Sequence, residues 1–232
     1  MARITRKELK SDKFAQEVGL TVDFFEEHRQ DLVRYGGIAL VALALIAGYM
    51  YYSRHQHAAR QVALYTAIET SEAQVGAASE AGAMTFPTQQ AKDAQTVKQL
   101  TDLMNKDGGT AEGYIAEYFL GSMRADQGNF ADAEKLLLEA AQKADDKYAS
   151  LAKLSLAQIY FQEGHADQGE KTLRDLMAHP TVFVSSDQAA ITLARQIMAK
   201  NPGAARKLLQ PLVSKTGQTG QVATDLMAGI SQ

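Results

Sequence analysis

Cysteine and tryptophan are both missing from this chain, and proline occurs only four times in 232 residues. Without a thiol there is no disulfide framework, no lipidated N-terminal cysteine, no thiolate metal site and no thiol nucleophile. That absence fits an exported domain needing no cross-links and a cytosolic domain equally. A basic field is missing too. Lys and Arg number 24 against 27 Asp and Glu, so nothing concentrates a polyphosphate and nucleic acid is excluded as a partner. No stretch alternates apolar with polar as a half-buried strand would. Ala, Leu, Gln, Lys and Glu are abundant, and these are helix formers, so the fold class is all-α.

Catalytic signatures are also lacking. There is no Gly-rich phosphate loop, no His-Glu-x-x-His and no serine nucleophile elbow. Glu26-Glu27 and Asp145-Asp146 sit in charged helical or turn contexts and read as solvated faces and caps. His55 and His57 form a His-x-His, but a metal needs a third and usually a fourth ligand, and none follows nearby. His28, His165 and His179 stand alone. The expectation is a chain with no cofactor, no metal and no enzymatic activity.

What the chain does have is a run of 19 uncharged residues, Tyr35 to Ser53, with Arg34 and Arg54 at its ends. As a helix it is about 28 Å long, close to the ~30 Å hydrocarbon core of a bilayer. Tyr35 and Gly36 open it. Tyr49, Tyr51 and Tyr52 close it, at the level where amphipathic rings favour headgroups. A secretory signal has a short basic start and a small-residue cleavage site, whereas 34 residues precede this run. It reads as a single uncleaved span. Ala44 and Gly48 share one face at small-xxx-small spacing, which permits close contact with another span. Seven basic residues (Arg3, Arg6, Lys7, Lys10, Lys13, Arg29, Arg34) precede it and two, Arg54 and Arg60, follow within twenty, which puts the N-terminus inside. Before the span, Thr21–Arg34 is amphipathic, with Val22, Phe25 and Leu32 on one side.

Two later stretches superimpose at an offset of 36 residues. Leu120-Gly121 is followed by Gly128, Phe130, Ala133, Leu137 and Ala140; Leu156-Ala157 is followed by Gly164, Ala166, Gly169, Leu173 and Leu176. The pattern describes a helical hairpin: the Leu-small pair permits close approach, the Gly ends one helix, and Ala or Gly allows a tight crossing. Gly128-Asn129 reads as a stop and an N-cap. A third, shortened copy has Leu193-Ala194, an Asn201-Pro202 helix start, Ala205 and Leu209, and Ser185 with Gln188 opens its first helix as a capping box. This is the pattern of a tetratricopeptide-like helical-hairpin solenoid, in which neighbours bury one another's apolar faces and the ends need caps.

The predicted caps are helices over Ala58–Val75 (stripe Ala63, Leu64, Ile68) and Thr88–Asn105 (stripe Val97, Leu100, Leu103, Met104). After a Gly217–Gly220 break comes a last helix marked by Val222, Leu226 and Ile230. Between the first two, Gly76–Pro87 reads as a mobile, solvated loop with Phe86 as one apolar pin. The domain plan is then a cytosolic tail, 1–34; a transmembrane helix, 35–53; capping helices and loop, 54–110; and repeats with a C-terminal cap, 111–232. The concave surface of such repeats is lined by the first helix of each hairpin. Helical spacing puts Ile115, Tyr118, Ser122 and Ala125 there in the first copy, and Leu151, Leu154, Gln158 and Phe161 in the second, with Tyr118 and Phe161 also suited to packing on a neighbouring helix.

Taken in order, these features resemble the bacterial inner-membrane tetratricopeptide-repeat proteins that include the ancillary subunit of the Sec translocon. The resemblance is carried by a short helix with paired aromatics (Val22-Asp23-Phe24-Phe25-Glu26-Glu27), one span, a Ser-Arg-His-Gln-His-Ala-Ala-Arg junction, a helix with Ala63-Leu64-Tyr65, and then the repeats. It covers about residues 20–215. It implies a periplasmic repeat domain tethered beside the export channel of a bacterium with two membranes, acting with periplasmic chaperones on emerging secreted chains. Related repeat domains also serve as scaffolds for envelope or division machinery. The Met1–Gly19 tail and the Gly76–Pro87 loop depart from the family pattern.

Overall fold

No proline falls between Arg29 and Glu72, and the chain runs there as one uninterrupted helix, α1 (Arg29–Glu72). The computed structural model describes residues 29–76 and 84–230. The Met1–Gly19 tail, the Val22–Glu27 aromatic segment, most of the Thr21–Arg34 stretch and the middle of the Gly76–Pro87 loop lie outside the described residues. The chain forms two compact units, Met1–Ala58 and Ala59–Gln232. In the first, α1 has a mean hydropathy of 1.6 over its most apolar window, none of which is buried. That helix is long and apolar enough to cross a membrane. Tyr35, Gly36, Ala44, Gly48 and Tyr52 all lie on its exposed surface. A Cβ added at Gly36 or Gly48 would meet nothing.

In the second unit most of the remaining described helices start behind a side-chain oxygen that accepts from a free backbone N–H. Helix α2 (Gln89–Asp107) is capped by Thr88, whose hydroxyl accepts from Ala91 N. Then follow three hairpins: α3 (Ala111–Asp126) with α4 (Phe130–Lys143), α5 (Asp146–Gln162) with α6 (Ala166–Ala178), and α7 (Ser186–Ile197) with α8 (Pro202–Leu209). Helix α9 (Gln218–Ile230) closes the stack. Each helix packs on the next in chain order from α2 to α9, and α3 also meets α5. The expected turns form as read. Gly128 and Gly164, 36 residues apart, both have positive φ, +75° and +83°, which lets the chain reverse without the strain a Cβ would bring. Asn129 Oδ1 accepts from Asp132 N, and Asn201 Oδ1 from Ala204 N ahead of Pro202.

The repeat signature is the core. Leu120, Ala133, Leu137 and Ala140 of the first copy are buried, as are Leu156, Ala157, Leu173 and Leu176 of the second and Leu193, Ala194, Ala205 and Leu209 of the third. Leu64, Ala67, Leu100 and Leu103 cover the N-terminal end of the stack. Ala223 with Leu226, Met227 and Ile230 covers the other. A part-buried ion pair, Arg60 Nε to Glu112 Oε2 at 3.3 Å, with Asp107 at 3.9 Å, ties α1 to the start of α3.

Three expectations are corrected. Ala63 is exposed; the packed stripe of α1 is Leu64, Ala67 and Ile68, because α2 and α3 lie against that side. The C-terminal helix starts at Gln218, so Gly220 lies inside it, where a Cβ would run into the Lys215 carbonyl, and Val222 faces a groove rather than the core. Finally, the ends of the Gly76–Pro87 loop are not free. β1 (Gln74–Val75) pairs in parallel with β2 (Thr85–Phe86), with Gly76 N donating to Phe86 O at 2.9 Å. Phe86 is half-buried there.

Candidate functional site

The first helices of the hairpins are each started by a capping side chain. Thr110, Asp145 and Ser185 accept from the backbone N–H of Gly113, Tyr148 and Gln188 at the heads of α3, α5 and α7. These caps set where each helix begins, and so which residues look out of the row. Two grooves run between the helices of that row. One, of about 420 Å³, is lined by Ser122, Ala125 and Asp126 of α3 and Ser155, Gln158 and Gln162 of α5. The other, of about 510 Å³, is lined by Leu154 and Gln158 of α5, Gln188, Thr192 and Arg195 of α7, and Gln218 at the head of α9. Gln158 belongs to both.

Four of the eight residues expected on the concave face line the grooves, and two of those four, Ala125 and Leu154, also pack in the core. Ser122, Ala125, Leu154 and Gln158 line the grooves. Ile115 packs instead with the α1–α2–α3 core, and Leu151 and Phe161 pack against the core of the last repeats. The Phe161 ring lies where a Cβ on Gly169 would fall, at 2.6 Å, so this pair sets how closely α5 and α6 approach. Tyr118 sits in a row of rings, with centroids 5.2 Å from Phe119 and 5.8 Å from Tyr148, and Tyr148 is 5.4 Å from Phe183. Burial raises the pKa of Tyr118 and of Tyr148 above the ordinary phenol value. Asp126, Ser155, Gln162, Gln188, Thr192, Arg195 and Gln218 were not anticipated. Gln188, Thr192 and Arg195 fall at i, i+4 and i+7, a polar stripe along α7 that helical spacing makes readable.

Among the described residues, Glu117 is the most perturbed acid. It is 4% exposed on α3, and its Oε2 has no hydrogen-bond partner among the described residues. Burial first, and then the Glu139 carboxylate, raise its pKa to about 7. The folded state therefore holds this proton more tightly than the unfolded chain. Stability falls as pH rises from the ordinary carboxylate range through 7, and the penalty is complete above that. Glu117→Gln removes the titration. It should leave stability nearly unchanged at pH 4.5 and raise it by roughly 2–3 kcal/mol at pH 8. Thermal melts of both chains across that range check this; a difference that does not vary with pH would show that Glu117 titrates normally.

Among the described residues, no three His, Asp or Glu side chains gather as a metal set. His55 and His57 lie two residues apart on α1 and so point to different sides of the helix.

Capped helical hairpins repeating every 36 residues around a Leu–Ala core define the architecture, and residues 23–188 match the family model of the tetratricopeptide repeat-like domain. The chain belongs to that family. The match takes in the apolar helix, the cap α2 and the first two hairpins, and it ends within the first turn of α7. The third hairpin and α9 continue the same geometry beyond it. Tetratricopeptide repeat-like domains are protein-interaction modules. No curated protein and no solved structure matches the chain.

Proposed function

We propose that this protein is a membrane-tethered interaction module whose grooves hold segments of secreted proteins as they leave the export channel and pass them toward periplasmic chaperones. In this reading α1 crosses the bacterial inner membrane once, with the N-terminus in the cytoplasm and the repeats in the periplasm. The observation that carries it is the open row formed by α3, α5 and α7, with two confluent grooves meeting at Gln158. The exposed apolar surface of α1 supports the tether, since no described residue buries it. Nothing catalytic is required. A tether raises the local concentration of a binding surface to about the millimolar range near its client, so contacts that are weak in solution become occupied and still release quickly. The Sec translocon is the neighbour that the sequence resemblance implies.

Two measurements decide the reading. A phosphatase reporter fused after Gln232 should be active, because that enzyme matures only outside the cytoplasm; a well-expressed but inactive fusion would overturn the topology. Photocrosslinkers placed at Ala44 and Gly48 in native membranes should capture a channel subunit. Recovery of division or envelope-assembly proteins alone would replace the translocon assignment with a scaffold role.

A further inference from the structure

Between the second and third hairpins, the turn Thr181-Val182-Phe183-Val184 holds two apolar side chains out in solvent. Thr181 N donates to Val184 O at 2.9 Å, and the Thr181 hydroxyl accepts from Phe183 N and Val184 N. That hydroxyl also lies 2.7 Å from the hydroxyl of Ser150, a buried residue of α5. Val184 is fully buried in the core of the last repeats, so the base of the turn is clamped. Its tip is not. Val182, at 86%, is the most exposed large apolar side chain among the described residues, and Phe183 is 40% exposed. Tyr148 meets the Phe183 ring edge-on at 5.4 Å, and the Lys147 ammonium lies 6.0 Å from the centre of the same ring. Solitary exposed apolar residues are ordinary on a protein surface. Here two follow one another on a turn whose backbone is fixed.

Area and charge select the occupant. At these exposures the two side chains offer roughly 200 Å², against about 800 Å² per partner in a stable protein–protein contact. An apolar tip with a tyrosine and a lysine beside it has the composition of a membrane interface, where rings sit among headgroups and the ammonium reaches back to the phosphates. The charges around it balance rather than accumulate. Lys147 follows Asp145 and Asp146 in sequence, and Asp187 is paired with Lys215 Nζ at 2.6 Å. A zwitterionic headgroup layer suits that balance. We infer that the Val182–Phe183 tip dips into the headgroup layer of the bilayer, as a second, reversible lipid contact of the chain. This rests on the membrane tether of the proposed function. The tip has the apolar area of about six methylenes, and a myristoyl chain with about twice that number gives only marginal membrane binding. Alone it leaves a protein in solution. In a chain already anchored by α1 the same contact is intramolecular, and the fixed turn has little conformational freedom left to lose.

The chain has no cysteine, so one introduced thiol can be labelled uniquely. The full chain carrying Val182→Cys and a polarity-sensitive NBD dye is reconstituted into vesicles of phosphatidylethanolamine and phosphatidylcholine, with and without lipid spin-labelled near the headgroup. Flotation of the vesicles shows whether the chain is anchored. The dye at Val182 should be quenched by the spin-labelled lipid, and the dye on Leu138→Cys, at the exposed side of α4, should not. Adding Phe183→Asp to the Val182→Cys chain should remove most of the quenching, and exchanging phosphatidylcholine for phosphatidylglycerol should not increase it. A chain that floats with its Val182 dye unquenched overturns this inference and leaves the tether standing; if that dye is shielded only in native membranes, a protein covers the tip. Equal quenching at Leu138, or quenching that survives Phe183→Asp, shows that the dye and not the tip seeks lipid, and the inference fails. Quenching that needs phosphatidylglycerol overturns it in favour of an electrostatic contact. A chain that does not float removes the tether and this inference together.

Discussion

Replacing Val41 and Leu43 together by arginine should release the protein from the membrane fraction. Both side chains are exposed, at 61% and 62%, near the middle of the uncharged run. An arginine at the centre of a spanning helix costs about 2.5–3.5 kcal/mol, so two cost about 5–7 kcal/mol, a change of about four orders of magnitude or more in partitioning. Neither residue belongs to the buried clusters around the repeats. The helical circular-dichroism signal and the melting transition of the repeats should therefore persist in the released protein. Fractionation with an alkaline carbonate wash provides the check. A double variant that still resists the wash, or an unaltered chain that is soluble after cell breakage, would remove the tether from the account.

Leu137→Ala should cost the repeat domain about 2–5 kcal/mol, the range for truncating a fully buried leucine. Leu137 is 0% exposed and packs with Ala133, Ala140, Ala152 and Leu156 between the first and second hairpins. It also lies so close to α3 that a Cβ on Gly121 would fall 2.8 Å from its Cγ. Ala133, Ala140 and Ala152 cannot refill a void, while Leu156, Ile159 and Tyr160 can relax into it only in part, so the loss should fall near the middle of that range. For a domain of this size about 2–4 °C is lost per kcal/mol, giving a drop of the order of 10 °C. Leu138→Ala, one residue along and 36% exposed, should cost under about 1 kcal/mol. Equal costs for the two would mean that the buried face of α4 has been misassigned. Because each repeat touches only its neighbours, the Leu137 variant should also loosen α3–α6 before the C-terminal hairpin, a pattern that hydrogen exchange resolves.

The grooves show where the reading of a repeat from its sequence runs out. Asn129, Ser185 and Asn201 each accept from a backbone N–H at the helix start expected of them, because a cap is settled within three or four residues of chain. Ser122 and Tyr118 are four residues apart on one helix, yet Ser122 lines a groove while Tyr118 packs beside Tyr148. Ile115 and Leu151 sit at equivalent places on α3 and α5, and each is drawn into the core of a different neighbour. A first helix in a stack has partners on both sides and its own second helix behind it. The open strip left between them is narrow, and its position depends on crossing angles that the sequence of one helix does not contain.

The sequence by itself determined the uncharged run and its arginine bracket, the 36-residue period, the turns at Gly128 and Gly164, and the leucines and alanines that close the core. All of these are local or strictly periodic, and they need only helix geometry and burial to be read. The tertiary structure alone decided that Glu117 is enclosed with its Oε2 lacking a partner among the described residues, and that glutamines from α5, α7 and α9 line one groove. Those outcomes depend on which helices end up side by side. That is a contest among many packing contacts distant in sequence, each worth little and decided only in sum.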